Sequence, residues 1–239
     1  MPAPSGERIR AGGIGAVLLL AALLNLLAQP SASAGTPVSG VIPADTTWGL
    51  AGSPYWVVGD VTVASAVTLR VEAGVEVRFQ GFRTLYVDGA LVLNGTSSNG
   101  VLLTSNGTTP LPGSWRAVQV NASGAFAAAF VRIEYAAYGA YLSGSSRAWI
   151  SNATFANNTF GVFGDSTRDN VVVDSHFEDH RGIVEGYGVY LTVSPGNRIV
   201  GNVFSRTDGA PVALVNSYNN SVFHNDFLEN LNRVLDTRS

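Results

Sequence analysis

Apolar residues alternate with polar or small ones in short runs along most of the chain after Gly35. Val61, Val63, Val67, Leu69, Val71, Val75, Val77 and Phe79 follow this pattern. Leu85, Val87, Leu91, Leu93, Val101 and Leu103 continue it, with breaks at Gly89, Gly95 and Gly100. A period of two gives a strand one buried face. No long segment after Gly35 carries an apolar period of 3.6, so helices are not expected there. Thr104 to Gly113 is rich in Pro, Gly and Thr and reads as a surface loop.

The second half of the chain repeats itself. GYGVYLTVSPGNRIVGNVF, residues 186–204, nearly copies FGVFGDSTRDNVVVDSHF, residues 160–177. Five 17-residue blocks align without gaps, starting at Ala117, Gly139, Gly161, Gly188 and Pro211, with spacings of 22, 22, 27 and 23 residues. Val118, Ala140, Val162, Val189 and Val212 share one column, and Val120, Leu142, Gly164, Leu191 and Leu214 share another. A hydroxyl column follows at Ser123, Ser145, Thr167, Ser194 and Ser217, and an amide column at Asn170, Asn197 and Asn220. Stacked hydroxyls and amides satisfy turn backbone groups and bond to their equivalents one coil away. A second strand stacks Ile150, Val172, Ile199 and Val222. Phe130, Asn152, Asp174, Gly201 and His224 form a column that, from Asn152 on, holds residue types tolerant of a left-handed backbone, and it reads as a bend. The blocks close on Ile133, Phe155, Phe177, Phe204 and Phe227, expected as one internal apolar file.

Strand, turn, strand, bend, strand in roughly 22 residues is one coil of a parallel β-helix, an all-β solenoid. Equivalent residues of adjacent coils then lie about 4.8 Å apart. VTVASAVTLRVEAGVEVRFQG and LYVDGALVLNGTSSNGVLLTSN resemble the opening coils of right-handed parallel β-helix repeat proteins, and NRIVGNVF and NNSVFHNDF resemble the Asn-rich coils of the pectate-lyase-like and NosD-like superfamily. The resemblance spans roughly Val57 to Phe227. It implies a single-stranded right-handed β-helix. It is compatible with polysaccharide lyases and hydrolases, surface adhesins, or a periplasmic protein of copper-site assembly.

The N-terminus reads as a signal peptide over residues 1–34. Arg8 and Arg10 precede an apolar stretch from Ile14 to Ala28, and Ala32-Ser33-Ala34 gives a cleavage pattern. Residues 35–56 are expected as a lead-in or cap and residues 57–239 as the β-helix. The protein is then secreted, at the cell surface or periplasmic, with no membrane contact after signal removal. No cysteine is present, which removes disulfides, thiolate nucleophiles and Cys–metal sites. A net charge of −3 with scattered arginines provides no basic stripe and argues against nucleic acid as a partner. Sequons at Asn94, Asn106, Asn121, Asn152, Asn157 and Asn219 are candidate glycosylation sites. After Phe227, Arg233 to Asp236 resembles the start of another coil. An open strand edge there implies either further sequence or end-to-end association.

The link between blocks is longest after Phe177, where EDHRGIVEGY holds Glu178, Asp179, His180, Arg181 and Glu185. Insertions in solenoids gather on one face, often the binding face. Asp179, Arg181, Arg206 and Glu229 are the catalytic candidates, and the resemblance implies a calcium-assisted lyase if they act on acidic polysaccharide. Asp179, Arg206 and Glu229 share one column, which is equally an ordinary surface charge ladder. His176, Glu178 and His180 are the candidate metal ligands, although Asp174 and His224 in the same stretches have bend roles. Tyr141, Phe163 and Tyr190 form an outward column of rings suited to sugar C–H faces or to mutual stacking. Tyr138, Phe160 and Tyr187 have inward parity and are expected in the core or at a corner. The expected function is an exported, non-catalytic β-helix that binds glycans or other surface polymers or serves as a structural module, without a cofactor. A polysaccharide lyase or hydrolase is the alternative, and a periplasmic metal-handling accessory protein a weaker one.

Overall fold

In a computed structural model of the protein, which describes residues 1, 35–144, 146–183 and 185–237, the alternating runs become short strands stacked coil upon coil. The predicted signal peptide lies, Met1 apart, outside the described residues. Each coil contributes a strand to each of three faces. Face A holds the second half of Tyr55–Val63, then Thr84–Val87, Trp115–Val120, Ala136–Ser143, Phe160–Asp165, Tyr187–Thr192, Val212–Val215 and Leu235–Thr237. Face B runs Thr46–Trp48, Thr68–Glu72, Ala90–Asn94, Ala125–Ala129, Arg147–Ser151, Val171–Val173, Arg198–Val200 and Ser221–Phe223. Face C starts in the first half of Tyr55–Val63 and continues through Glu76–Phe79, Val101–Ser105, Val131–Glu134, Thr154–Ala156, His176–Glu178, Val203–Ser205 and Asp226–Leu228. Thr36–Ile42 pairs in parallel with Tyr55–Val63, so strand stacking already begins within the expected lead-in. The one helical turn among the described residues is Leu50–Gly52.

The core is a set of files running along the rod. Phe155, Phe177 and Phe204 are fully buried, with successive ring centroids 5.0 and 4.7 Å apart and planes within 4° and 13°. Phe227 extends the file at 5.4 Å and is 42% exposed where the last coil ends. The same file continues upward through Ile133, Leu103 and Val77. Corners are closed by left-handed residues. The expected bend column has φ of 51° at Phe130, 49° at Asn152, 48° at Asp174, 69° at Gly201 and 54° at His224.

The amide column forms the expected ladder: Asn170 Nδ2 donates to Asn197 Oδ1 at 2.9 Å, and Asn197 Nδ2 to Asn220 Oδ1 at 3.1 Å. Backbone N–H groups of Thr167 and Ser194 donate to the hydroxyls of Ser194 and Ser217. Ser145 lies outside the described residues, and it is buried Ser146 whose Oγ meets Thr167 Oγ1, at 3.0 Å.

Tyr138, Phe160 and Tyr187 depart from their predicted inward placement. In three successive face A strands, two neighbouring residues point inward: Gly139-Ala140, Gly161-Val162 and Gly188-Val189. The extra residue shifts the register against the preceding strand between Tyr138 and Ala140. It also turns the residue before each glycine outward. Glycine is required there, because a Cβ on Gly161 would lie 2.5 Å from Gly188 O and 2.7 Å from Phe177 Cδ1.

Candidate ligand-binding face

The bulge doubles the ring column on face A. Tyr138, Phe160 and Tyr187 form one file, with centroids 5.1 and 5.3 Å apart and nearly parallel planes. Tyr141, Phe163 and Tyr190 form the second, in which Phe163 and Tyr190 lie 5.4 Å apart and parallel. The files interlock at right angles: Phe160 meets Phe163 at 79° and Tyr187 meets Tyr190 at 81°. All six rings are half-buried, and the stack covers both faces of Phe160 with Tyr138 and Tyr187. Both phenols that titrate abnormally stay protonated. Partial burial, aided by Glu185, pushes Tyr187 up to about 12, and partial burial also raises Tyr141.

Two loops wall the panel along one edge. The expected loop starts two residues later than Thr104, because Thr104 and Ser105 are buried in the strand Val101–Ser105, and it is pinned where Leu111 N–H donates to Ser114 Oγ at 2.9 Å. The long link after Phe177 rises beside it. Phe82, Leu111, Ile183, Phe160 and Tyr187 line a groove of about 690 Å³ between them, with Arg181 and Glu185 at its edge. Glu185 accepts the Tyr187 hydroxyl, and Asp208 accepts the Gly186 N–H. Asp60 and Asp88 are likewise engaged, by Thr84 N–H at 3.0 Å and Asn121 Nδ2 at 2.7 Å. Arg83 and Arg116, exposed on the same face, and exposed Arg181 have no ion-pair partner among the described residues. Face A therefore turns Arg83 and Arg116 outward, whereas Asp60, Asp88, Glu185 and Asp208 each accept a hydrogen bond from within the chain, Asp60 while itself exposed. Phe82, Arg83 and Leu111 come from irregular coils that do not align with the repeats, and Arg116 stands just before the first aligned block, at Ala117.

The catalytic candidates gather at the corner between faces C and A. Arg206 grips Asp179 through Nε at 2.9 Å and Nη2 at 2.8 Å. Its Nη2 also lies 3.5 Å from Glu178, which Arg132 bridges to Glu134. Asp179, Arg206 and Glu229 occupy left-handed bend positions with φ of 56°, 54° and 54°. The Arg206 hydrogen bonds hold the Asp179 carboxyl below its usual range. Arg181, Arg206 and Glu229, with Asp208, line a depression of about 190 Å³.

The candidate metal ligands point in different directions. His176 is exposed on face C, Glu178 lies among arginines, and His180 is fully buried. Among the described residues no three His, Asp or Glu side chains are grouped to hold a metal ion. His180 instead belongs to a corner ladder in which Ala136 N–H donates to Asn158 Oδ1 at 2.8 Å and Asn158 N–H to His180 Nδ1 at 3.3 Å. Burial pushes the imidazole down to about 4. Among sequons, Asn94, Asn106, Asn152 and Asn219 are exposed, whereas Asn121 and Asn157 are half-buried.

No described helix is long and apolar enough to cross a membrane. No curated protein and no solved structure matches the chain at a significant level. A family model described as "Right handed beta helix region" matches residues 75–235, most of the coils just described. The chain is thus a right-handed parallel β-helix and belongs to that family.

Proposed function

We propose that the protein is an exported, non-catalytic β-helix that holds a glycan chain along face A. The observation that carries this reading is the panel of six half-buried rings on three successive coils, walled by two loops. Rings offer apolar surface to sugar C–H groups, and the neutral tyrosine hydroxyls and outward arginines offer hydrogen bonds. Each coil advances about 4.8 Å, close to the length of one sugar unit in an extended chain. The catalytic candidates support this reading over a lyase, because Arg206 and Asp179 neutralise each other in a bidentate pair. Calcium enters only with the lyase reading.

A glycan array probed with wild type and Tyr190→Ala tests the proposal. The expected result is a glycan class whose binding weakens about tenfold in the variant, the effect of losing one well-packed aromatic contact. Equal binding by both proteins, or turnover of a uronate polymer by wild type, overturns it.

A further inference from the structure

Face B carries a feature that the repeat columns do not explain. Of the four tryptophans, Trp48 is 4% exposed and stacked on Tyr55, Trp115 is 0% exposed and stacked on Phe79, and Trp56 is 36% exposed. Trp149 is 56% exposed and stands on the outer side of Arg147–Ser151. Its in-register neighbours are Ala127 on one coil and Val171 on the other. The strands before it are low: Ala125 stacks under Arg147, and Ala90 under Ala125. The indole therefore rises as a wall beside a floor of Ala90, Val92, Ala125 and Ala127, and the step borders an open cleft of about 530 Å³. That size lies within the range of small-molecule sites.

The rim is charged. Arg147 and Arg168 line the cleft, both exposed and without an ion-pair partner among the described residues. Asp169 lies beside them, exposed, at a bend with φ of 58°. An outward indole contributes little to folding, since its apolar surface stays in water. A ligand that covers it gains that burial. The floor suits a flat, compact apolar surface, the guanidiniums suit a carboxylate or sulfate, and the Asp169 carboxylate accepts hydroxyl donors. A sugar residue bearing an acidic group combines all three.

We propose that the Trp149 cleft on face B is a second ligand site, separate from face A, that binds an acidic sugar unit. The indole packs on the sugar ring, Arg147 and Arg168 hold the anionic group, and Asp169 accepts a hydroxyl. This assignment does not rest on the face A reading.

Calorimetric titration with trigalacturonate (carboxylates), a sulfated galactose oligosaccharide (sulfates) and neutral cellotriose tests the site and separates the two anions. At least one acidic probe is expected to bind about tenfold more tightly than cellotriose. Trp149→Ala is expected to weaken that binding about tenfold, Trp149→Phe by no more than about threefold, and Arg147→Ala with Arg168→Ala to abolish the preference over cellotriose. Trp149 is exposed, and circular dichroism shows whether each variant keeps its strands. The same losses are expected in a Tyr190→Ala background. Failure of both acidic probes to bind, equal binding by wild type and Trp149→Ala, or a loss confined to Tyr190→Ala overturns the proposal, and the last of these leaves face A as the binding face.

Discussion

The first and last coils close their corners in opposite ways. At the N-terminal end, Asp45, Ser53 and Asp60 of one coil accept the N–H groups of Thr68, Glu76 and Thr84 on the next, at 2.8, 2.9 and 3.0 Å. Toward the C-terminus the acceptor sits on the later coil: Asn170, Asn197 and Asn220 Oδ1 accept the N–H of Ala148, Asn170 and Asn197. The cores differ as well. Val77 and Leu103 fill the file in the early coils where Phe155, Phe177 and Phe204 fill it later. Irregular early coils accept aliphatic residues that tolerate changing coil length. Stacked rings and amides need a constant path between corners, because each side chain is useful only directly over its equivalent, and the 27-residue coil accordingly puts its extra residues in the link after Phe177.

The largest effect should come from breaking the ring file. Phe177→Ala removes a fully buried ring from between two others and is expected to cost about 4 kcal/mol, against about 3 kcal/mol for Leu103→Ala in the same file. Urea unfolding of both variants measures the difference, and an equal cost would mean that ring stacking adds nothing to burial. Acid should weaken the late coils next. His180 is neutral in the folded chain down to about pH 4, whereas in the unfolded chain it takes up a proton below about pH 6.5. Its contribution is therefore constant above that pH and falls by about 3 kcal/mol between the two values. His180→Asn, which keeps a ladder amide, should flatten stability measured across this window. The smallest change is a gain. Val193 is β-branched at φ 50°, in the column where Asn216 has φ 49°. Val193→Asn should stabilise by about 1 kcal/mol and raise Tm by about 2–4 °C in a thermal scan.

The amide and phenylalanine columns were legible because each repeats one residue type at one spacing, and the bend column because its differing residues from Asn152 on all tolerate a left-handed backbone. The glycine bulge was not. Gly139, Gly161 and Gly188 served as alignment anchors, yet the extra residue they carry breaks the period of two and reverses the parity of Tyr138, Phe160 and Tyr187. The corner column of Asn158, His180, Thr207 and Asn230, in which Thr207 N–H donates to Asn230 Oδ1 at 3.0 Å, was hidden by its changing residue types, so His180 read as a metal ligand rather than a buried corner group. The groove wall was hidden for another reason. Phe82 and Leu111 reach it from coils whose lengths share no common period with the repeats.

Stacking coil over coil also determines how the molecule responds to force. Inter-strand bonds on all three faces point along the rod axis. A pull applied to its two ends therefore loads them in tension and peels coils away singly at low force. A push sideways on face A is met by every strand in shear and is resisted across the whole wall. A rod built this way withstands a load spread along its side better than a tug at its tip.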